Sequence, residues 1–281
     1  MAPTATNADT RKREATGERS RWPVTVAAVL AVIALLLVGF VALRKHRNEV
    51  FAFSGSPSEV IINSSAGLVV VVPADGDQVQ VSRRAKWTLF KPDMDVGLEG
   101  GSLVVQADCV GPSFICDVQY RVSVPSSVGV KVVGGGGEVQ IDGVGGPVNV
   151  QTSGGDVSLG HLSNAVKVRT TGGDISMDTI SGAIDAAADS GSITGTSLTG
   201  PTIQSGTSSG DITLTVTGSS DRIGAGSGSG DIAIVVPDLG YKVDAKAGSP
   251  DDVHVDVNQS PDATRTITAT TGSGQISITR G

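Results

Sequence analysis

Two patterns of apolar positions divide the chain. Residues 23–43 form an unbroken uncharged run, whereas from residue 59 apolar and polar residues alternate in short segments such as Leu68–Pro73 and Val118–Val124. At about 1.5 Å per residue, a helix over 23–43 spans the roughly 30 Å apolar layer of a bilayer. Alternation with a period of two predicts β-strands with one buried face. We therefore expect a transmembrane helix at 23–43 and an all-β domain at 59–281.

The flanks of the apolar run predict an uncleaved anchor. A cleaved signal peptide, the alternative, has about 7–15 apolar residues and then a small-x-small site, but the basic cluster 44–47 follows this longer run. Residues 1–22 are polar and basic, which predicts a disordered cytoplasmic tail, and residues 44–58 are predicted as a linker. Five basic residues precede the run and three follow it. This difference favours a single-pass protein with its N-terminus in the cytoplasm.

A short motif recurs through the second half of the domain. It consists of a small residue, glycine, usually aspartate, and then a β-branched, a polar and an apolar residue, most clearly in Thr170–Met177. Successive copies stand 18, 18, 18, 19 and 20 residues apart, and a degenerate copy at 247–253 and a last copy at 271–278 follow. The turn positions are Gly137 and Glu138, Gly155 and Asp156, Gly173 and Asp174, Gly191 and Ser192, Gly210 and Asp211, Gly230 and Asp231, and Gly274 and Gln275.

This period predicts a stacked architecture. A repeat of 18–20 residues holds two short strands and two turns, and one such unit buries too little apolar surface to fold alone. The predicted fold class is therefore an all-β, single-stack β-solenoid (β-helix-like), with rungs about 4.8 Å apart. Inward ladders such as Ile141, Leu159 and Met177 are expected, and at Gly195 the core is expected either to narrow or to be filled by Leu198. The turn glycines should supply positive φ at a tight corner.

The only two cysteines, Cys109 and Cys116, bracket a Gly-Pro turn. This spacing suits a disulfide that closes a hairpin, and free buried thiols are the alternative. Metal binding would need further ligands, and the sequence has no second cysteine cluster and no histidine-rich stretch. A disulfide indicates an oxidising compartment, so it supports an extracytoplasmic position for residues 59–281.

At this point the sequence resembles a known family. The run Tyr120–Val132, followed by the reiterated Ser/Thr-Gly-Gly-Asp-Val/Ile motif, is similar to the bacterial "putative adhesin" family of β-strand-repeat domains of unknown function. The similarity extends over residues 60–281. It implies an elongated β-solenoid-like fold behind one N-terminal membrane helix, and it implies no catalytic residues.

Candidate chemistry is sparse. The aspartate column could bind Ca²⁺ between rungs, but the nonapeptide of calcium-binding β-rolls is absent. Ser192 and Gln275 occupy the same position, which favours a capping role in which each side chain accepts a turn N–H and stays solvated. Gly206–Gly210 matches Gly-x-Ser-x-Gly, yet a strand follows where a nucleophile elbow needs a helix. Each of three scattered histidines is expected at the surface: His46, His161 and His254. We predict no catalytic residue, metal or cofactor.

The charge is unevenly distributed. The net charge is −7, but residues 1–47 carry eight basic and three acidic residues, so the remainder is strongly acidic. An acidic domain argues against nucleic acid as a partner. We expect a non-enzymatic, membrane-anchored cell-surface module for adhesion or envelope interaction, with an unknown envelope or surface ligand. The alternatives are an envelope-stress sensor that signals through its N-terminal tail and a glycan-active β-helix enzyme.

Overall fold

The computed structural model describes residues 22–42, 44–55, 57–88, 90–109 and 116–281. The chain divides into two compact units, which meet in sequence between Arg44 and Lys45. The first contains one helix, α1, Trp22–Ala42. Within the described ranges, no helix satisfies the length and hydropathy requirements for crossing a membrane, so the anchor stays a prediction. The predicted tail lies outside the described residues except for Trp22.

The second unit is built from β-strands, as the alternating pattern predicted. Its strands are β1 Lys45–Phe53, β2 Glu59–Ser64, β3 Val69–Pro73, β4 Val79–Trp87, β5 Asp93–Glu99, β6 Ser102–Asp108, β7 Cys116–Val124, β8 Gly129–Gly134, β9 Val139–Asp142, β10 Val148–Thr152, β11 Val157–Leu162, β12 Val166–Thr170, β13 Ile175–Ile180, β14 Ile184–Ser190, β15 Ile193–Leu198, β16 Thr202–Ser209, β17 Ile212–Val216, β18 Arg222–Ser229, β19 Ile232–Val236, β20 Lys242–Lys246, β21 Val253–Asp256, β22 Thr266–Ser273 and β23 Ile276–Arg280. A short 3₁₀ turn, Pro250–Asp252, precedes β21.

These strands form two sheets that enclose one core. Sheet 1 has the order β1-β4-β7-β3-β9-β11-β13-β15-β17-β19-β23-β21, and sheet 2 the order β20-β22-β18-β16-β14-β12-β10-β8-β2-β6-β5. Consecutive strands form rungs with one strand in each sheet. We number the rungs 1–10 in chain order: β2/β3, β6/β7, β8/β9, β10/β11, β12/β13, β14/β15, β16/β17, β18/β19, β20/β21 and β22/β23. Neighbouring rungs pair in parallel, as a solenoid requires.

The predicted inward ladders are confirmed in the middle of the stack. Ile141, Leu159 and Met177 are register partners on successive strands, and all three are buried. At the position of Gly195, an added Cβ would lie 2.7 Å from Leu198 Cδ1. Leu198 therefore fills the space that the glycine leaves, as expected.

The stack departs from chain order at its C-terminal end. Rung 10 pairs directly with rung 8, through Ile232 and Ile276, and rung 9 lies outside rung 10. The copies at 247–253 and 271–278 are therefore neighbours in the stack, but in the reverse of their chain order. Composition explains the order, because the strands of rung 10 carry Ile267, Ile276 and Ile278 without an acidic residue, whereas those of rung 9 place valines among lysine, aspartate and histidine. The more apolar rung gains more by lying inside.

The N-terminal end shows the same inversion and an additional cap. Rung 1 lies between rungs 2 and 3, and β5, β4 and β1 close this end as antiparallel strands. Strand β1 pairs with β4 along its whole length, from Lys45 opposite Trp87 to Phe53 opposite Val79. The prediction of a linker over 44–58 is therefore wrong for most of its length. Phe51 and Phe53 pack against the core, which gives β1 a partly buried face.

The predicted disulfide joins Cys109 to Cys116, but it does not close a hairpin as expected, because β6 and β7 belong to different sheets. It connects the end of β6 to the start of β7 and so links the two strands of rung 2. The Gly-Pro turn between the cysteines lies outside the described residues.

Candidate functional site

The repeated turn builds a column of glycines at one corner of the solenoid. A Cβ added to Gly155 would lie 1.8 Å from the carbonyl oxygen of Gly137, and one added to Gly173 would lie 2.1 Å from that of Gly155. Such distances exclude any side chain, since backbone packs directly on backbone. The column contains one glycine that the sequence reasoning missed, Gly67, and consists of Gly67, Gly137, Gly155, Gly173, Gly191, Gly210, Gly230 and Gly274.

The prediction that the corner glycines supply positive φ is only partly correct. Positive φ occurs at Gly67, Gly210, Gly230 and Gly274, but not at Gly155 or the other corner glycines of rungs 3–6. In those rungs the close approach of successive corners is what requires glycine. A threonine or serine stands three residues before most corner glycines, although Gly134 and Ala188 precede Gly137 and Gly191. Thr170 Oγ1, for example, accepts from Gly173 N at 3.0 Å.

The aspartate column is a ladder of hydrogen bonds between rungs. Asp156 Oδ1 accepts from Asp174 N at 2.9 Å, and Asp174 Oδ1 accepts from Ser192 N at 2.8 Å. Asp231 in turn accepts from the N–H of Gln275 at 2.8 Å, across the out-of-order contact between rungs 8 and 10. Each exposed carboxylate therefore caps the corner of the next rung and not its own. This geometry gives the column a structural role.

Two copies depart from this ladder. At Ser192 the shorter hydroxyl reaches Asp211 N only at 3.4 Å, and Glu138 instead accepts from the side-chain amide of Gln140. In the described ranges, no three His, Cys, Asp or Glu side chains are grouped so that they could hold a metal ion. The Ser209–Asp211 segment also continues from β16 toward β17 without a helix, so the Gly206–Gly210 match is not a nucleophile elbow.

The opposite corner carries a smaller polar cluster. His161, Thr179 and Ser197 adopt φ near +50°, at 52°, 53° and 54°. His161 Nδ1 lies 2.8 Å from Asp142 Oδ1, and the hydrogen bond to this carboxylate raises the pKa of the exposed histidine. The pKa of Asp178 is lowered, mainly because Thr196 donates a hydrogen bond to it. The side chain of His161 lies at the surface, as expected.

A groove follows the outer surface of sheet 2. It has a volume of about 640 Å³ and is lined by residues of several successive rungs. Asn149, Lys167, Asp185 and Gln204 are register partners on β10, β12, β14 and β16, so each rung contributes one polar side chain. Pro147 and small residues line it at the strand starts. We call this feature the lateral groove.

A second cavity opens at the N-terminal end of the stack. We call it the end cavity; it has a volume of about 270 Å³ and is lined by β1, β4, β5 and the residues before β5. Arg83 is its most unusual residue, because its side chain is only 6% exposed and it interrupts the buried series Val79, Val81 and Ala85. The sequence does contain a signal for this site that was missed. Arg83 stands at a position of β4 where the alternating pattern calls for an apolar residue.

The Arg83 guanidinium is only partly compensated. Its Nη2 forms an ion pair with Glu49, which also pairs with Arg47, and its Cζ lies 5.2 Å from the centroid of the Phe51 ring. The hydrogen bond from Arg83 is the main cause of the lowered pKa of Glu49. Burial raises the pKa of the nearby Tyr120, an effect that Arg83 partly opposes. Nε and Nη1 of Arg83 are buried and have no hydrogen-bond partner in the described structure.

These observations define a two-sheet β-solenoid with a structural corner, a lateral groove and an end cavity. The sequence model of the Toastrack DUF4097 family matches residues 44–280, and the chain belongs to this family. The resemblance drawn from the sequence is thus confirmed. The family boundary also agrees with the start of β1 at Lys45.

The fold recurs in a solved structure. A putative adhesin from Bacteroides fragilis is 16% identical, with 84% of this chain and 97% of that chain covered and a TM-score of 0.51. A putative cell adhesion protein from Clostridium sporogenes is 11% identical, with coverage of 84% and 100% and a TM-score of 0.32. A putative lipid binding protein from Parabacteroides distasonis is 13% identical, with coverage of 83% and 96% and a TM-score of 0.33. No curated protein matches this chain by sequence.

Proposed function

We propose that this chain is a non-enzymatic, membrane-anchored cell-surface protein that acts in adhesion or envelope interaction. The lateral groove is the observation that carries the proposal. Its register-matched polar side chains, one per rung, repeat about every 4.8 Å along the stack. Such an array suits an extended polymer that presents a regular series of polar groups. The B. fragilis relative, named as a putative adhesin, agrees with a role at the cell surface.

The proposed location rests on the N-terminal sequence and on the disulfide. Helix α1 has 21 residues without a charge, and the larger number of basic residues before the apolar run than after it favours a cytoplasmic N-terminus. The Cys109–Cys116 disulfide suits an oxidising compartment. A topology reporter fused after Gly281 should give an extracytoplasmic signal, and a cytoplasmic signal would refute the location.

A sedimentation assay tests the role of the groove. The purified full chain in a non-ionic detergent is mixed with intact envelope fragments, and the bound fraction is measured. We expect Lys167→Glu to reduce binding several-fold, because it changes a charge on the groove wall. Arg121→Glu is the matched control, since Arg121 is an exposed residue on β7 of sheet 1. Equal binding by the wild type and K167E, or no binding by the wild type, would contradict the proposal.

A further inference from the structure

The end cavity contains a cation that the protein itself does not fully satisfy. Arg83 is more than nine-tenths buried and lines the cavity, and the hydrogens on its Nε and Nη1 have no acceptor in the described structure. Buried polar groups are almost always paired, because a buried donor without an acceptor costs about 1–3 kcal/mol, and more when it is charged. A ligand that offers acceptor oxygens would remove this cost.

The charge balance around Arg83 favours an anionic ligand. Arg47, Arg83 and Glu49 form one connected group with a single positive charge in excess. Lys91, Asp93 and Asp95 also belong to the cavity rim, but all three are exposed, whereas Met94 is half-buried. The two carboxylates of β5 therefore alternate away from the face that holds Met94. One bound negative charge would neutralise the group.

The walls of the cavity are largely apolar. Phe51, Pro92, Met94 and Val96 line it, and the Arg83 guanidinium lies over the Phe51 ring. At about 270 Å³, the space is slightly smaller than the usual range for a small-molecule site, about 300–1,000 Å³. It therefore suits a small ligand or one end of a longer molecule.

We propose that the end cavity binds an anionic oxygen group, a phosphate or a carboxylate, that is attached to a short apolar segment. The anionic oxygens accept hydrogen bonds from Nε and Nη1 of Arg83, and the apolar segment packs against Phe51 and Met94. A lipid headgroup region and a free organic anion both offer this chemistry. The site is separate from the lateral groove, so it does not depend on the adhesion proposal.

Methyl resonances of methionine give a direct readout. The chain has only three methionines; Met94 lines the cavity, and Met177 is buried in the middle of the stack as an internal reference. The full chain, labelled with ¹³C at methionine methyls and held in a non-ionic detergent, is titrated with hexyl phosphate, inorganic phosphate and hexanol. We expect saturable shifts of Met94 with hexyl phosphate, no shift of Met177, and at least about tenfold weaker binding of hexanol.

Variants assign the effect to Arg83. Arg83→Met should weaken hexyl phosphate binding about tenfold or more, because charged hydrogen bonds are lost. Glu49→Gln keeps Arg83 and removes the carboxylate charge that competes with an anionic ligand, so it should strengthen binding several-fold. It also provides the test if R83M fails to fold. Arg169→Met is the control, because Arg169 pairs with Asp185 on the exposed face of sheet 2, and it should leave binding unchanged.

The outcomes separate the possible ligand sources and the competing explanations. Saturable binding of inorganic phosphate would support the site and indicate a free anion, whereas a requirement for the hexyl chain would support it and indicate an amphiphile such as a lipid. An unshifted Met94 with every probe would overturn the proposal. Equal affinity for hexanol, or unchanged binding by R83M together with E49Q, would also overturn it.

Discussion

The regular middle of the solenoid and its two ends follow different rules. Rungs 3–8, within residues 129–236, stack in chain order with parallel strands, a glycine column and the aspartate ladder. The ends stack out of chain order, and the N-terminal end adds antiparallel strands and the buried Arg83–Glu49 pair. The conserved geometry of the repeat thus serves architecture. In the described residues, single buried polar atoms of Asn149 and Ser205 lack a partner within the middle, but the buried guanidinium of Arg83 stands where the repeat is broken.

The largest expected effect concerns the glycine column of the middle. Gly155→Ala would place Cβ 1.8 Å from the Gly137 carbonyl oxygen, whereas an alanine at the adjacent Gly154 would meet no atom within 4 Å. Because backbone cannot move aside without disturbing both neighbouring rungs, we expect G155A to lose about 3 kcal/mol or more of unfolding free energy. Gly154→Ala should change stability by less than about 1 kcal/mol. Urea unfolding measures both, and similar values for the two variants would contradict close packing as the reason for glycine.

An intermediate effect is expected from the aspartate ladder. Asp174→Ala removes the acceptor of the Ser192 amide, and because this corner is exposed we expect a loss of about 1 kcal/mol. Asp174→Asn retains an acceptor and should lose less. Asp189→Ala is the control, since no hydrogen bond or ion pair of the Asp189 side chain is found in the described structure. If added Ca²⁺ stabilised the wild type but not D174A, the column would be a cation site and the structural interpretation would fail.

The smallest effect concerns the corner cluster at His161. The neighbouring Asp142 carboxylate raises the pKa of this histidine above its ordinary 6.5. A raised pKa in the folded state stabilises the protein below pH 6.5, and this contribution is lost as the pH rises through the folded pKa. In Asp142→Asn, an NMR titration should show the pKa of His161 falling toward 6.5. An unchanged pKa would show that Asp142 is not the cause.

The middle of the fold was predictable because its signals are local and repeated. The strict spacing of Ile141, Leu159 and Met177 specifies one ladder, and each glycine turn confirms the same register. Even there, the partner of each aspartate became visible only with the register of adjacent rungs in hand. An acceptor one rung away and an acceptor in the same turn give the same sequence pattern.

The ends were less predictable because their structure depends on competition between distant segments. The sequence places rung 9 before rung 10, and only a comparison of how apolar the two rungs are accounts for the packing of Ile276, and not Val253, against Ile232. Strand β1 contains Arg47 and Glu49 on its partly buried side, so it lacked the apolar alternation that would have marked it as a strand. Its pairing with β4 adds an outer strand to sheet 1 and brings Glu49 to Arg83.

Engineered cysteines test the out-of-order stack most directly. Ala233 and Ser277 are register partners on β19 and β23, whereas His254 lies one strand further out, opposite Ser277. The account predicts that the pair A233C/S277C forms a disulfide under mild oxidation, detected by mass spectrometry of unreduced peptides, and that A233C/H254C does not, because about 9.6 Å separates strands two apart. A disulfide in A233C/H254C without one in A233C/S277C would show that the rungs stack in chain order and would contradict the account.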